Sequence, residues 1–492
     1  MDHKLPCPDY SSIFLHIVSY LLIFIYLADN NLFNTMKSAK RRQFLMQSGI
    51  LSAAAVIPSW QKKGFPSKSS NQQIPAILGG KSTIQANNWV KWPIWDAEKD
   101  EKLLLEVMRS GVWSRAQVVN QFEKAWADTI GTKRCLTSVN GTQALIVAIN
   151  QAKLGPGDEI LVTPYTFVAS IQAILANGCI PVFVDVNPET FQMDTHKIEA
   201  KISKRTKAIL PVHILGLPCD MIPIMSIANK HQLIVIEDTC QAPLAEINHQ
   251  KVGSFGLAGC FSFQNSKNIA IGEGGAIVSN DHDFMDRCYS FHNLGLPFGI
   301  ATGSINSGSF MQGTKVRFTE YQAAIGLAQL TRLESQTQTR NERAAYLSSM
   351  LKTVKGIQPY QLYPSVTRAA FHLYPFRYNP AEFKGLRRAH FLQALQAEGV
   401  PCSGGYTALN TQAFIQETFE SKHFKKLYSS SELKYSTYME QNQCPLNDQL
   451  CQEAVWFTQN LLLGSKEDME LIFHSIQKIQ REAEVIKKKL QP

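Results

Sequence analysis

Residues 158–186, DEILVTPYTFVASIQAILANGCIPVFVDV, carry the pattern of a strand, a helix and a second strand in succession. The runs 158–167 and 180–186 are short, apolar and rich in residues that favour strands, whereas 169–178 has the pattern of a helix. Two buried strands joined by a helix form a βαβ unit, in which the strands run parallel. This stretch therefore predicts an α/β fold with a largely parallel central sheet.

The same alternation continues along the chain. Strand-like runs at 207–214 and 232–238 enclose a helix-like segment at 221–231, and a long helical pattern begins near Glu320. After about residue 350 the pattern changes to a strand-like run at 371–378, a helix at 387–399 and a helix at 465–488 that begins at a Ser465 N-cap.

This change of pattern predicts two domains of unequal size. We expect a large domain over 77–330, built around the mostly parallel sheet, and a smaller C-terminal α+β domain over 331–492.

Residues before 77 do not show this alternation. KRRQFLMQSGILSAAAVIPSW at 40–60 has paired arginines followed by a weakly apolar stretch with small residues, which is typical of a twin-arginine export signal. We expect a signal over 36–60 that starts at Met36, and a polar linker over 61–76. The signal predicts a periplasmic or otherwise exported protein, with the cytoplasm as the alternative.

Two interpretations stay open for residues 1–35. They contain an apolar run, Ile13–Ala28, that is shorter than the roughly 20 residues a membrane-spanning helix needs. Either this segment is upstream sequence translated in error, or it is an N-terminal anchor.

Charge and cysteine content exclude several classes of protein. The net charge of the 492 residues is +9, but residues 1–70 contribute +5 (eight Lys/Arg against three Asp), which leaves +4 for the rest. The body shows no basic stripe interleaved with aromatic residues, so we expect no nucleic-acid partner. The ten cysteines form no CxxC pair and no metal-like spacing, which favours reduced thiols over disulfides and predicts no metal site.

One lysine stands out in FSFQNSKNIAIGEGGAIVSND, residues 261–281. Lys267 lies between a strand-like segment and a glycine-rich turn. It is either a solvated loop lysine or the lysine that binds pyridoxal phosphate covalently.

Unusual residues at the predicted strand ends bear on this choice, because ligands of parallel α/β sheets bind at the carboxyl ends of the strands. Asp238 ends a strand and is either the partner of a protonated pyridine nitrogen or a helix N-cap. Gly141 and Thr142 open a helix, whose N-terminus either binds a phosphate or is an ordinary N-cap. Phe167 follows another strand and either stacks on a cofactor ring or belongs to the core. Ser262 is a candidate phosphate donor.

Seven blocks in order resemble one known family, the DegT/DnrJ/StrS-type sugar aminotransferases, which are fold-type-I pyridoxal-phosphate enzymes. The resemblance covers about 77–485. The blocks are NGTQAL (140–145), DEILVTPYTFVAS (158–170), PVFVDVNPETF (181–191), PVHILGLPCDM (211–221), VIEDTCQAPLAE (235–246), FSFQNSKNIAIGEGGAIVSND (261–281) and RFTEYQAAIGLAQL (317–330).

The resemblance implies a role for each matching residue. Lys267 matches the lysine that binds the cofactor and moves the proton between the two reacting carbons. Asp238 matches the partner of the pyridine nitrogen, and Gln241 the residue near the phenolic oxygen of the cofactor. The other matches are Phe167 on the ring, and Gly141, Thr142 and Ser262 at the phosphate.

This chain departs from the family pattern at two positions. Gln264 replaces a common His, and this form resembles the branch of scyllo-inosose aminotransferases and aminohydroxybenzoate synthases. Four further blocks resemble that branch: WPIWD (92–96), HLYPFRY (372–378), SGGY (403–406) and VWFTQNLLLG (455–464). Lys315 replaces an Asn that usually reaches the phosphate of the neighbouring subunit, so this cofactor contact is a hypothesis.

The favoured function is a homodimeric aminotransferase that moves an amino group from L-glutamate or L-glutamine to a keto-sugar or keto-cyclitol. Polar residues expected at the substrate are His213, His372, Arg377 and Tyr406, although each could equally have a structural role. Two alternatives stay open. One is another pyridoxal-phosphate reaction on this scaffold, such as an aromatising elimination or a retro-aldol cleavage. The other is an exported, non-catalytic sugar-binding homologue.

Overall fold

Strands and helices alternate through the part of the chain that the computed structural model describes, residues 74–85, 89–299 and 308–491. The strands are β1 (Arg134–Ser138), β2 (Glu159–Val162), β3 (Ile180–Phe183), β4 (Thr206–Leu210), β5 (Ile234–Asp238), β6 (Glu246–Ile247), β7 (Gln250–Lys251), β8 (Ala258–Ser262), β9 (Gly275–Ser279), β10 (Ile357–Pro359), β11 (Val366–Arg368), β12 (Leu373–Tyr378), β13 (Ser403–Gly404) and β14 (Ala454–Thr458). The α-helices are α1 (Ala97–Ser110), α2 (Gln117–Ile130), α3 (Gly141–Gln151), α4 (Ala169–Ala176), α5 (Met221–His231), α6 (His282–His292), α7 (Glu320–Leu351), α8 (Arg388–Ala397), α9 (Ala413–Glu420), α10 (Phe424–Leu427), α11 (Tyr435–Gln441), α12 (Pro445–Glu453), α13 (Lys466–Arg481) and α14 (Ala483–Leu490).

The central sheet has seven strands in the order β1-β9-β8-β5-β4-β2-β3. The pairs β8–β5, β5–β4, β4–β2 and β2–β3 are parallel, whereas β9 pairs antiparallel to both β8 and β1. Because β1 and β8 both oppose β9, they run in the same direction. The prediction of a mostly parallel α/β sheet is confirmed, and β9 is its one antiparallel strand.

Both faces of this sheet are covered, which explains why its strands read as continuous apolar runs. In β2, Ile160 and Val162 pack into one buried cluster with α3 and α4, whereas Leu161 points into a second cluster with Met221 and Ile224 of α5. A third cluster lies near α2 and the start of α7 and includes the buried ring of Phe122.

The local signals in the sequence correspond closely to the observed elements. The helix predicted at 221–231 is α5. The pattern that begins near Glu320 is α7, where Thr319 and Gln322 form a capping box. Ser465 caps α13 by accepting a hydrogen bond from the Asp468 N–H, but the helix predicted over 465–488 is interrupted at Glu482, where α13 ends and α14 follows.

The C-terminal part contains a second, antiparallel sheet in the order β10-β12-β14-β13. The expected boundary at residue 330 lies inside α7, which runs without interruption from Glu320 to Leu351. The division into domains over 77–330 and 331–492 therefore stays a prediction.

Several expectations for the N-terminal region concern residues that the structure does not describe: the segment 1–35, the signal over 36–60 and most of the linker over 61–76. Among the described helices, none combines the length and the apolar character needed to cross a membrane. The nine cysteines in the described residues are all free thiols.

Candidate active site

The candidate site lies where four parallel strands of the central sheet end. Strand β1 is followed by the start of α3 at Gly141, and β2 is followed by Phe167. Strand β5 ends at Asp238 and β8 at Ser262, five residues before Lys267. Since the carboxyl ends of parallel strands meet at one edge, the fold gathers residues that are more than a hundred positions apart in the sequence.

Lys267 lies in the β8–β9 connection, where its N–H donates to the Gln264 carbonyl oxygen (2.8 Å). Burial lowers the pKa of its amine below the usual value, and the nearby Cys240 and Asp238 offset only part of this effect. Lys267 is also only partly exposed, which favours the cofactor-binding interpretation over the solvated loop lysine. Desolvation favours a neutral amine, which is a nucleophile and a base.

Asp238 is 5% exposed and accepts two hydrogen bonds, from the Ser170 hydroxyl (2.7 Å) and from the Cys240 N–H (3.1 Å). A turn follows β5 here, so the helix N-cap interpretation of Asp238 is wrong. Ser170 belongs to α4 and had no sequence signal of its own for this contact, because 68 residues separate it from Asp238. The hydroxyl orients the carboxylate and leaves it able to accept from a cationic ring N–H.

The N-terminus of α3 forms a close-packed cradle. The Asn140 side chain caps the helix by accepting from the Gln143 N–H (2.8 Å). A Cβ at Gly141 would lie 2.8 Å from the Cys240 sulfur and 2.8 Å from the Ser262 Cβ, so only glycine fits between these neighbours. The free N–H groups of the first turn and the Ser262 hydroxyl together suit a phosphate.

Phe167 is 56% exposed, so the core interpretation of this residue is wrong. An exposed ring at the carboxyl end of β2 is free to cover the face of a planar ligand.

Gln241 is buried and bridges two elements: its Oε1 accepts from the Leu215 N–H (2.8 Å), and its Nε2 donates to the Tyr406 hydroxyl (2.8 Å). Tyr406 thereby joins the C-terminal part of the chain to this edge, and burial raises its pKa to about 12.

The other substrate candidates lie in different surroundings. His372 is buried, which lowers the pKa of its imidazole. The positive charge of nearby Lys267 lowers that pKa further. His213 is fully buried; its Nδ1 accepts from the Cys219 N–H (3.0 Å), so its Nε2 donates to Glu237 (3.2 Å). With both ring nitrogens engaged, His213 has a structural role here. Arg377 pairs with Glu453 (3.5 Å), and none of its described contacts is with the cluster around Lys267.

The two departures from the family pattern have separate local roles. The Gln264 side-chain oxygen accepts from the N–H (2.8 Å) and the hydroxyl (2.7 Å) of Ser266, which shapes the turn before Lys267. Lys315 is exposed, and the carbonyl oxygen of the next residue, Val316, accepts from the Val139 N–H (3.1 Å) near the start of α3. A phosphate contact by Lys315 stays a prediction.

Comparison with known proteins agrees with this geometry. The model of the DegT/DnrJ/EryC1/StrS aminotransferase family matches residues 95–460. An L-glutamine:2-deoxy-scyllo-inosose aminotransferase of Streptomyces kanamyceticus is 30% identical over 407 residues, covering 79% of this chain and 93% of the relative. A GDP-perosamine synthase of Caulobacter vibrioides is 37% identical over 265 residues, covering 53% and 68%. The crystal structure of 3-amino-5-hydroxybenzoic acid synthase matches with a TM-score of 0.71 and 26% identity, covering 82% of this chain and all of that one.

A pyridoxal-phosphate-dependent aminotransferase is the class of enzyme that this fold and these relatives define. The chain belongs to the DegT/DnrJ/EryC1/StrS aminotransferase family. The residues present fit the cofactor on structural grounds: a desolvated lysine, a buried carboxylate beside it, and a cradle at a helix N-terminus that a Cβ would fill.

Proposed function

We propose that this enzyme transfers an amino group from L-glutamine or L-glutamate to a keto-sugar or keto-cyclitol. The observation that carries the proposal is the convergence of Lys267, Asp238 and Gln241 at one edge of the sheet. A sugar-binding module has no use for a desolvated lysine beside a buried carboxylate. Relatives named for amination of a scyllo-inosose derivative and for synthesis of GDP-perosamine support the substrate class.

Each residue has one task in this proposal. Lys267 would bind the cofactor covalently through Nζ. Once released, its neutral amine would take the proton from the α-carbon of the donor in the first half-reaction and deliver a proton to the carbon that receives the amino group in the second. The carboxylate of Asp238 holds the pyridine nitrogen protonated. Backbone N–H groups at Gly141 and Thr142 and the hydroxyl of Ser262 hold the phosphate, and Phe167 covers the ring. When bound, pyridoxal phosphate supplies an electron sink for the carbon that loses its proton.

The acceptor needs polar partners because a polyhydroxylated ring loses its hydrogen bonds to water on binding. Tyr406 and His372 are the residues that the structure places beside Gln241 and Lys267. Arg377 is a weaker candidate because it already pairs with Glu453.

The test is a visible absorption spectrum of the purified protein before and after addition of L-glutamine or, separately, L-glutamate. The expected result is a bound-cofactor band that one donor bleaches and a keto-cyclitol restores. Lys267→Ala should abolish the cycle, whereas Lys230→Ala, which removes an exposed lysine paired with Glu199 (2.7 Å), should leave it intact. A bound cofactor that no donor bleaches would point instead to elimination or retro-aldol chemistry.

We also propose a homodimer. Several large apolar side chains are exposed in the described chain, among them Val112 (53%), Trp113 (49%) and Phe310 (62%). Burial of such side chains against a second copy would account for their exposure in one chain. The molar mass from light scattering tests this, and a monomer at micromolar concentration would contradict it.

Export through the twin-arginine pattern at 40–60 is a further proposal, with the cytoplasm as the alternative. An exported enzyme would meet free cyclitols or sugars rather than nucleotide-linked ones. Fractionation of the native cells, together with the N-terminal peptide of the native protein, tests this. Activity on nucleotide-linked keto-sugars alone would contradict the substrate preference.

A further inference from the structure

Asn268 follows Lys267 directly in the β8–β9 connection and is 2% exposed. Its side-chain Nδ2 donates a hydrogen bond to the carbonyl oxygen of Ala370 (2.7 Å), which lies 102 residues further along the chain. Ala370 belongs to the segment before β12 and stands two residues before His372. One buried side chain therefore joins the segment that carries Lys267 to the segment that carries His372.

The segment around Ala370 has an uncommon backbone conformation. Phe371, which stands between Ala370 and His372, has a φ of +52°, in the left-handed region that residues other than glycine rarely adopt. Such a conformation costs free energy and persists only where the surrounding contacts hold it in place. Because it turns the chain directly before His372, the contacts made by Ala370 help to determine where the imidazole lies.

Close packing at Gly216 holds the other side of the same segment. The Ala370 N–H donates to the Gly216 carbonyl oxygen (2.8 Å). A Cβ at Gly216 would lie 2.5 Å from the backbone nitrogen of His372 and 2.8 Å from the backbone carbonyl oxygen of Gln241, so these backbones approach as closely as a glycine allows. The hydrogen bond to Ala370 thus connects the segment of Lys267, through Gly216, to the residue expected near the phenolic oxygen of the cofactor.

We propose that Asn268 is a positioning residue for Lys267. This inference rests on the proposed function, in which Lys267 binds the cofactor covalently. One peptide bond joins the two residues, so the hydrogen bond from Asn268 to Ala370 restrains the backbone from which the lysine side chain extends. Misplacement of a reacting group by about 1 Å can cost about 100-fold in rate. Asn268 acts through Lys267 and touches no reacting atom.

Asn341 is a matched control for Asn268, because it holds the same segment from α7. Its Nδ2 donates to the Ala369 carbonyl oxygen (2.6 Å), and its Oδ1 accepts from the Ala369 N–H (3.1 Å). Nδ2 also donates to the Thr337 carbonyl oxygen (2.8 Å) within the helix. Loss of either asparagine loosens the segment before β12, whereas only the loss of Asn268 also releases the segment of Lys267.

The experiment compares the affinities of the cofactor-free protein for pyridoxal phosphate and for pyridoxamine phosphate. Both molecules carry the same ring and phosphate, but only the aldehyde of pyridoxal phosphate can condense with the Lys267 amine, with loss of water. Asn268→Leu removes the amide at nearly constant size. It should weaken the binding of pyridoxal phosphate by at least about tenfold and leave the affinity for pyridoxamine phosphate unchanged, so the ratio of the two affinities falls. Asn341→Leu should keep the wild-type ratio.

Two additions keep the result decisive. Asn268→Ala should lower the same ratio even if Asn268→Leu does not fold, and urea unfolding of each variant reports the loss of stability separately from the loss of affinity. An unchanged ratio in the Asn268 variants, or an equal fall in Asn341→Leu, would overturn the proposal, because the hydrogen bond would then only stabilise the interior. The titrations use neither a donor nor a keto substrate. They therefore decide the role of Asn268 even if no donor reacts and the proposed function fails.

Discussion

Gly141→Ala is the substitution that most directly tests the cofactor cradle. The added Cβ would lie 2.8 Å from the Cys240 sulfur, 2.8 Å from the Ser262 Cβ and 3.2 Å from the Phe261 carbonyl oxygen. Ordinary contacts between such atoms are about 3.5–4.0 Å. Two of these atoms belong to short side chains, those of Cys240 just after β5 and Ser262 at the end of β8, and the third is backbone of β8, so α3 and these segments must separate.

The magnitude follows from this forced separation. Overpacking of a well-packed region by one methyl group costs about 1–3 kcal/mol. The same displacement moves the first-turn N–H groups of α3 away from Ser262, which weakens any anion held between them. A loss of about 1.4 kcal/mol there corresponds to a tenfold increase in the dissociation constant of the cofactor.

Gly155→Ala is the matched control, since a Cβ at Gly155 meets nothing within 4 Å. The dissociation constant of pyridoxal phosphate, from titration of the cofactor-free protein, and the free energy of unfolding by urea are measured for both variants. We expect at least tenfold weaker binding and about 1–3 kcal/mol lower stability for Gly141→Ala, with changes within about 0.5 kcal/mol for Gly155→Ala. Equal cofactor affinity in the two variants would refute the assignment of the cradle.

Three further predictions concern the same edge of the sheet. Asp238→Asn keeps the hydrogen bond from Ser170 but removes the negative charge. Because loss of one charge-stabilising group typically costs about 100-fold in rate, the donor half-reaction should slow by about 100-fold or more in stopped-flow measurements. A loss below threefold would contradict the role of Asp238. Phe167→Ala should weaken cofactor binding without lowering the stability of the cofactor-free protein, because the ring is 56% exposed, and a destabilisation above about 2 kcal/mol would indicate a core residue instead. The lowered pKa of Lys267 means that half of its amine is neutral at a pH below the usual value of 10.5, so the rate of cofactor capture by the cofactor-free protein should rise with pH and reach half of its plateau below pH 10.5; a midpoint at or above pH 10.5 would contradict a desolvated amine.

Much of the local structure could be predicted without coordinates. Strand-like runs and helix starts depend on neighbouring residues, so the parallel strands, the N-terminus of α3 at Gly141 and the Ser465 cap were all predicted correctly. The position of Lys267 and Asp238 was predictable because each follows a recognisable strand. The break in the C-terminal helix at Glu482 was not, because the apolar spacing continues across it.

Roles that depend on neighbours distant in sequence could not be predicted in this way. His213 and His372 look alike as isolated polar residues. In the structure, His213 has both ring nitrogens engaged, whereas His372, near Lys267, has a buried nitrogen with no partner among the described residues. The contact of Ser170 with Asp238 likewise joins two separate elements.

Arg340 shows most clearly what each level of description decides. The order and spacing of the motifs determined the fold class, the enzyme family and the lysine, since those depend on short segments whose chemistry is local. The helical spacing of Thr337, Arg340 and Ala344 places Arg340 on the buried face of α7. A position on that face does not reveal whether the arginine has an acidic partner. Only the packing of α7 against Gln459 and Trp92 shows that its guanidinium is buried and that Nη1 has no partner among the described residues, because burial and pairing are properties of the assembled interior.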